Sequence, residues 1–469
     1  MSLFNFSDTY TQLSNKLYTN LLPVPVKQPT LVLCNKELIA DLGLDVDDLE
    51  NYLSGNRVQE GSKPYSQAYA GHQFGQFNVL GDGRAVILGE HLAPNGKRFD
   101  IQLKGSGITP YSRNGDGRAT LYSMLREYII SYGMEKLGIP TTKSLAVIST
   151  GEDVYREKID LGGILTRVAS SHIRVGTFQY TAMQGDMDLL KTFTDYVIDR
   201  HYPEIKVKTN PYISLLEVVM DKQIDLIINW SRVGFIHGVM NTDNVTISGE
   251  TIDYGPCAFM DIYNPKTVFS SIDRNGRYSY QNQKNIGQWN IARFAECLIP
   301  LIGTDTEKSL EQVNVIIESY QNIFLKKWLN MMASKIGISK VGEIEKELIL
   351  ELLNWMEVKA VDFTNTFRAL SKSNFLELIP GADSDLKLWF NRYNEINHSI
   401  ELIKKSNPNV IPRNHLVEDA LIEASENSNY EPIYRLMEVL KNPYSDNISK
   451  FYTDPPKTVD PTYKTYCGT

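Results

Sequence analysis

Alternation of apolar and polar positions sets the first expectations. Over 99–104, Phe99, Ile101 and Leu103 point one way and Asp100, Gln102 and Lys104 the other, the period of a strand with one buried face. Further strands are expected over 84–90, 145–149 and 163–168. Over 120–137, Leu121, Leu125, Tyr128, Ile129 and Tyr132 recur at helical spacing, and Gly138 followed by Pro140 supplies a stop. After about residue 185 the helical period dominates. Helices are expected over 186–200, 212–234, 289–302, 310–336 and 344–366, with shorter ones over 412–425 and 431–441. A loop-rich stretch covers 238–276. Residues 69–75, Tyr-Ala-Gly-His-Gln-Phe-Gly, read as a tight aromatic turn in which His72 has no second metal ligand at helical spacing.

The pattern predicts an α+β protein. A strand-rich part over 1–180 precedes a larger helical part over 181–445 and a tail over 446–469. The 469 residues exceed the size of a usual single core, so two lobes with a ligand-binding cleft between them are expected.

Composition narrows the function classes. Apolar residues make up 42% and charged residues 22%, as in ordinary soluble proteins. Lysine and arginine number 48 against 56 acids, a net charge of −8, which argues against nucleic acid as a partner. Cys34, Cys257, Cys297 and Cys467 are widely spaced, which suggests neither a zinc site nor a disulfide framework. The first residues lack a basic start followed by an apolar run, and no stretch approaches the ~18–20 apolar residues of a membrane span. The expectation is a soluble, cytoplasmic, monomeric protein with no membrane partner.

Candidate chemistry begins at Lys104, which ends the alternating strand and precedes Gly105-Ser106-Gly107. Glu127 lies on the helix that follows. A strand lysine paired with a helix glutamate is how protein kinases hold ATP phosphates in register. Gly81-Asp82-Gly83-Arg84 reads first as a hairpin turn, although its glycines would also let backbone N–H groups approach phosphate. His237-Gly-Val-Met-Asn-Thr-Asp-Asn244, with Asp253-Tyr-Gly following, repeats the spacing of the kinase loop H-R-D-x-x-x-x-N and its D-F-G. Asn244 and Asp253 would then supply hard oxygen ligands to Mg²⁺ or Mn²⁺. Val239 stands where the kinase base belongs, so the candidate base is Asp243. Arg84, Arg113, Arg118, Arg167 and Arg174 are candidate phosphate clamps or surface ion-pair partners. On these residues alone the reading is ordinary phosphoryl transfer, with a catalytically silent scaffold as the alternative that Val239 suggests.

Longer strings then carry a resemblance. Tyr-Ala-Gly-His-Gln-Phe-Gly-Gln-Phe (69–77), Leu-Gly-Asp-Gly-Arg (80–84), Asp-Ile-Gln-Leu-Lys-Gly-Ser-Gly (100–107), Thr-Pro-Tyr-Ser-Arg (109–113), Gly-Asp-Gly-Arg-Ala (115–119), Leu-Thr-Arg-Val-Ala (165–169), Ser-His-Ile-Arg-Val-Gly-Thr-Phe (171–178), 237–244 and Thr-Ile-Asp-Tyr-Gly-Pro (251–256) resemble the selenoprotein O family. The resemblance covers nearly the whole chain. It implies a protein-kinase-like, two-lobed fold that binds ATP in a flipped orientation and transfers AMP to serine, threonine or tyrosine hydroxyls of proteins. Some bacterial relatives also use UTP with Mn²⁺. Carried over by position, it implies that Gly81, Gly83, Arg84, Lys104, Asp116, Gly117, Arg167, Arg174 and Asp253 bind nucleotide and that Glu127 pairs with Lys104. It further implies that Asn244 and Asp253 bind metal and that Asp243 accepts the proton. It also implies a redox pair between the tail cysteine, Cys467, and a cysteine nearer the metal loop, for which Cys257 is the candidate.

Overall fold

The computed structural model describes residues 3–45, 47–458 and 463–466. Its strand-rich part contains β1 (Tyr18–Asn20), β2 (Thr30–Cys34), β3 (Tyr65–Gln73), β4 (Gln76–Gly81), β5 (Ala85–Leu92), β6 (Arg98–Lys104), β7 (Lys143–Tyr155) and β8 (Ile159–Ala169). They form one antiparallel sheet in the order β1-β3-β5-β6-β8-β7-β2, with β4 paired to β3. Alternation placed β6 correctly, but both of its faces are buried. Ile101 and Leu103 enter an apolar cluster, while Asp100, Gln102 and Lys104 enter a charged interior. Asp100, for instance, accepts from Arg200 Nη2 at 2.6 Å and from the His172 backbone N–H at 2.9 Å.

Helices α1 (Lys36–Leu42) and α2 (Leu49–Ser54) share an apolar cluster with β5, β6, β7 and β8, and α3 (Leu121–Lys136) packs on β7 and β8. Thr120 caps α3 by accepting from Ser123 N–H, which satisfies one of the free donors of the first turn. Residues 69–75 are not a turn. They belong mostly to β3, and the chain reverses at Phe74 and Gly75, both at positive φ.

The rest is mainly helical: α4 (Val175–Met183), α5 (Met187–His201), α6 (Pro211–Val233), α7 (Gln283–Ile302), α8 (Thr306–Lys335), α9 (Glu343–Lys359), α10 (Phe363–Ala369), α11 (Phe375–Leu378), α12 (Ser384–Asn394), α13 (Ile400–Ser406), α14 (Asn414–Asn427), α15 (Glu431–Leu440) and α16 (Lys450–Thr453). A short ribbon of β9 (Phe235–Ile236) and β10 (Ala258–Phe259) flanks the loops that carry the candidate metal ligands. The helix expected over 344–366 is two helices. Ala360 takes φ 52°, which ends α9, and the Asp362 carboxylate caps α10 by accepting from Asn365 N–H at 2.7 Å. Leu352, Met356, Phe363 and Phe367 keep a helical apolar rhythm across the break, so periodicity alone conceals it.

The largest apolar cluster spans both parts. Leu121 and Leu125 of α3 share it with Leu216 and Ile227 of α6, Phe294 of α7 and Leu421 of α14. The late helices α14 and α15 return to pack on α3 and fix the helix that carries Glu127.

Candidate active site

Strand β6 delivers Lys104 and helix α3 delivers Glu127. Their side chains meet at 2.7 Å, and both are buried. Lys104 Nζ also lies 2.6 Å from Asp253 Oδ1. Arg167, opposite Gln102 in the β6–β8 pairing, reaches the same oxygen at 2.6 Å and donates from Nε to Glu127 Oε1 at 3.1 Å. Two cations and two carboxylates thus balance in a buried square. Arg174 flanks it, with Nη1 3.8 Å from Asp253 Oδ2, Nη2 3.6 Å from Asp82 and its guanidinium over the Tyr69 ring. Burial alone would raise the Asp253 pKa. Arg167, Lys104 and Arg174 outweigh it and hold the carboxyl well below the usual range. The Asp253 backbone sits at φ 64°, a left-handed conformation uncommon outside glycine.

The loop after β9 supplies the opposite wall. His237 Nε2 bonds to Ile252 C=O at 2.9 Å, and Nδ1 accepts from Val239 N–H at 3.4 Å, so this buried ring is a scaffold. Asn244 donates its amide N–H to Val239 C=O at 3.0 Å, which leaves its side-chain oxygen for the cleft. Thr242 Oγ1 accepts from His72 N–H at 2.7 Å and donates to Gln179, tying the loop to β3 and α4. Asp243 is buried, its Oδ1 has no hydrogen-bond partner, and burial pushes its carboxyl up to about 6 despite the nearby Arg174. Room for this side chain comes from Gly71 of β3, where a Cβ would lie 2.3 Å from Asp243 Oδ1.

A cavity of about 570 Å³ opens between these walls. Lys104, Arg167, Arg174, Asp243, Asn244 and Asp253 line it, as do Gly81, Gly83, Arg84, Asp116 and Gly117. Glu127 stands behind Lys104. Gly117, at φ 69°, packs directly on the Gly107 carbonyl, so the 105–117 loop folds tightly beside the 81–84 turn. Both Asp116 oxygens accept from Arg156 at 2.9 Å, so Asp116 organises this loop. Arg156 also lines the cavity, and its position between β7 and β8 gave no sequence signal. Arg118 donates to the carbonyls of Val24 and Pro25, and Arg113 sits at the cavity edge with φ 55°. Gly71 and Asp82 also escaped sequence reasoning, although both fall within the strings that carried the resemblance.

The donor set suits a hard divalent cation whose shell is completed by phosphate and water. Asp253 Oδ2 and the Asn244 amide oxygen are not used by the Lys104 and Val239 contacts, and both residues line the cavity. Among the described residues no group of three or more His, Cys, Asp or Glu side chains could hold a metal by itself. Cys257 is fully buried, with its thiol pushed up to about 12 by burial, and Cys467 lies outside the described residues. No helix among the described residues is long and apolar enough to cross a membrane.

The family model described as protein adenylyltransferase SelO matches residues 1–441. The protein nucleotidyltransferase YdiU of Clostridium botulinum (strain Alaska E43 / Type E3) is 52% identical over 99% of this chain and 98% of its own length. That of Nitrosococcus oceani is 51% identical over 99% and 97%, and that of Pelagibacter ubique 50% over 99% and 99%. The chain belongs to the protein adenylyltransferase SelO family.

Proposed function

We propose that this chain, a protein adenylyltransferase by family, transfers AMP from ATP to serine, threonine or tyrosine hydroxyls of proteins and releases pyrophosphate. UTP is a second candidate donor. In this reading the chain is a kinase-like, two-lobed protein. Residues 1–180 form the lobe with Lys104 and Glu127, residues 181–445 the lobe with Asp243, Asn244 and Asp253, and 446–469 a tail.

The observation that carries the reading is Asp243. Its carboxyl lines a cavity that also gathers Lys104, Arg167 and Arg174, and Arg174 Nη1 donates to the Asp243 C=O at 3.1 Å. A carboxyl near 6 is ionised at neutral pH yet basic enough to take a proton in the transition state. The Asp243 carboxylate accepts the proton of the acceptor hydroxyl as that oxygen bonds to the α-phosphorus. The bond from the α-phosphorus to the bridging oxygen breaks, and pyrophosphate leaves against the lysine and arginines. Charge stabilisation by groups already fixed in place needs no reorganisation during the reaction. Asn244 and Asp253 would hold Mg²⁺ or Mn²⁺, which when bound neutralises phosphate charge.

ATP labelled at the α- or the γ-phosphate tests the reading. With Mg²⁺ or Mn²⁺ and a mixture of proteins, label from the α position alone is expected in protein. Label from the γ position alone would establish a kinase instead.

A further inference from the structure

Beside Phe74, which lines the cavity, an aromatic and cationic stack stands outside the machinery described above. Trp289 of α7 carries the Arg277 guanidinium at 5.0 Å and the Arg293 guanidinium at 5.2 Å from its ring centre, and His72 meets the ring edge-on at 5.2 Å. All three stacked side chains are only partly buried. Arg293 is answered by Glu296 at 2.6 Å. Arg277 has no carboxylate partner among the described residues. The nearest candidate, Asp273, spends both oxygens on the backbone N–H groups of Arg277 and Tyr278, at 2.9 and 2.8 Å. The Nε atoms of Arg277 and Arg293 have no hydrogen-bond partner. A partly exposed guanidinium seated over indole is preorganised for a carboxylate, because the ring limits the rotamer freedom that remains to be lost. In a chain of net charge −8, such a cation is a local reversal of the overall field.

The stack is joined to the reacting groups by direct contacts. The Arg277 guanidinium lies beside Gly75 at the β3–β4 turn. The neighbouring Phe74 and Tyr278 rings meet edge-on at 5.1 Å. Tyr278 O–H donates to Asn241 Oδ1 at 2.6 Å, and Phe74 N–H donates to the same atom at 3.0 Å. Phe74 and Asn241 line the cavity, and Asp243 is two residues beyond Asn241. A protein presenting a hydroxyl to Asp243 from this side therefore brings its flanking residues over Arg277.

We propose that the Arg277–Trp289–Arg293 stack is a docking surface for the protein substrate, and that it selects segments with an aspartate or glutamate close to the acceptor hydroxyl. The proposal rests on the AMP-transfer reading for the identity of the partner, but its binding step can be measured without transfer.

The test uses fluorescent peptides with one serine flanked by glutamates, by glutamines or by lysines, titrated with the full chain and followed by anisotropy. The glutamate peptide is expected to bind about tenfold tighter than the glutamine peptide, the size of one charge-assisted contact. Arg277→Ala should erase that difference, Arg277→Lys should restore part of it, and Arg277→Glu should turn the preference toward the lysine peptide. Equal binding of the glutamate and glutamine peptides by the wild type, or an undiminished preference in Arg277→Ala, would overturn the proposal. Label from α-labelled ATP should follow the same order among peptides. Acid-selective binding that Arg277→Glu inverts supports the surface whether or not label is transferred, whereas absence of label from every peptide and protein counts against the transfer reading alone.

Discussion

Asp253 and Asp243 line one cavity, and their surroundings drive the two carboxyl groups in opposite directions. Asp253 meets Lys104, Arg167 and Arg174, so it stays ionised although buried. Asp243 is more withdrawn from water, and it has an unpaired oxygen and a carboxyl near 6. Residue type is the same; the count of nearby cations differs. The comparison separates a fixed anion, suited to holding a cation, from a carboxylate that can take up and release a proton near neutral pH.

The largest expected effect comes from removing the fixed anion. Asp253→Ala takes away a proposed metal ligand and leaves Lys104 and Arg167 sharing Glu127 alone. AMP transfer should fall by more than ~1,000-fold. Stability should fall by about 3–5 kcal/mol, because a buried charge loses its partner. Transfer assays with α-labelled ATP and urea unfolding check both. Undiminished activity in this variant would refute the metal assignment.

Asp243→Asn should separate activity from stability. Transfer should drop by about 10²–10⁴-fold as the base is lost. Stability should move the other way. The folded carboxyl titrates near 6 against 3.8 for the ordinary group, so the native state binds this proton more tightly than the unfolded state. That contribution is present below pH 3.8, declines as pH rises through about 6, and is absent above it. At pH 7 the ionised native side chain therefore costs up to ~3 kcal/mol, which the neutral asparagine avoids. A lower melting temperature in Asp243→Asn would break the comparison. The wild-type rate should fall about tenfold per pH unit below 6, and the residual rate of the variant should lose that dependence.

How far the sequence carried this comparison depends on the range of each interaction. Period-two alternation found β6 and turned Lys104 to the polar side. Spacing set Asn244 and Asp253 beside one another in a loop-rich stretch, and the longer strings added Asp116 and Gly117. The buried square was not legible as a square. Arg167 reaches Glu127 and Asp253 because β8 pairs with β6 in a register that puts Arg167 opposite Gln102, and pairing register is a property of the assembled sheet. Arg156 and Arg277 escaped for the same reason, since each acquires meaning only from a neighbour distant in sequence. The break at Ala360 escaped for the opposite reason. It is local, but it rests on one residue in a left-handed conformation while the apolar rhythm runs on.

Gly71→Ala is the smallest and most selective perturbation. The added methyl would lie 2.3 Å from Asp243 Oδ1 and 2.8 Å from its Cγ, so either the carboxylate or β3 must move. Overpacking of this kind costs about 1–3 kcal/mol. Displacing the base should lower kcat by roughly tenfold to 100-fold. The Asp253 wall is built from β6, β8 and α3, which the methyl does not touch, so the KM for ATP should stay unchanged. Asparagine has nearly the volume of aspartate, so the clash persists in an Asp243→Asn background. The double variant should then lose stability relative to Asp243→Asn without losing further activity, because the base that the methyl displaces is already gone. A KM that rises as kcat falls would show that strand movement crosses the cavity, and the two aspartate walls would have to be treated as one mechanical unit.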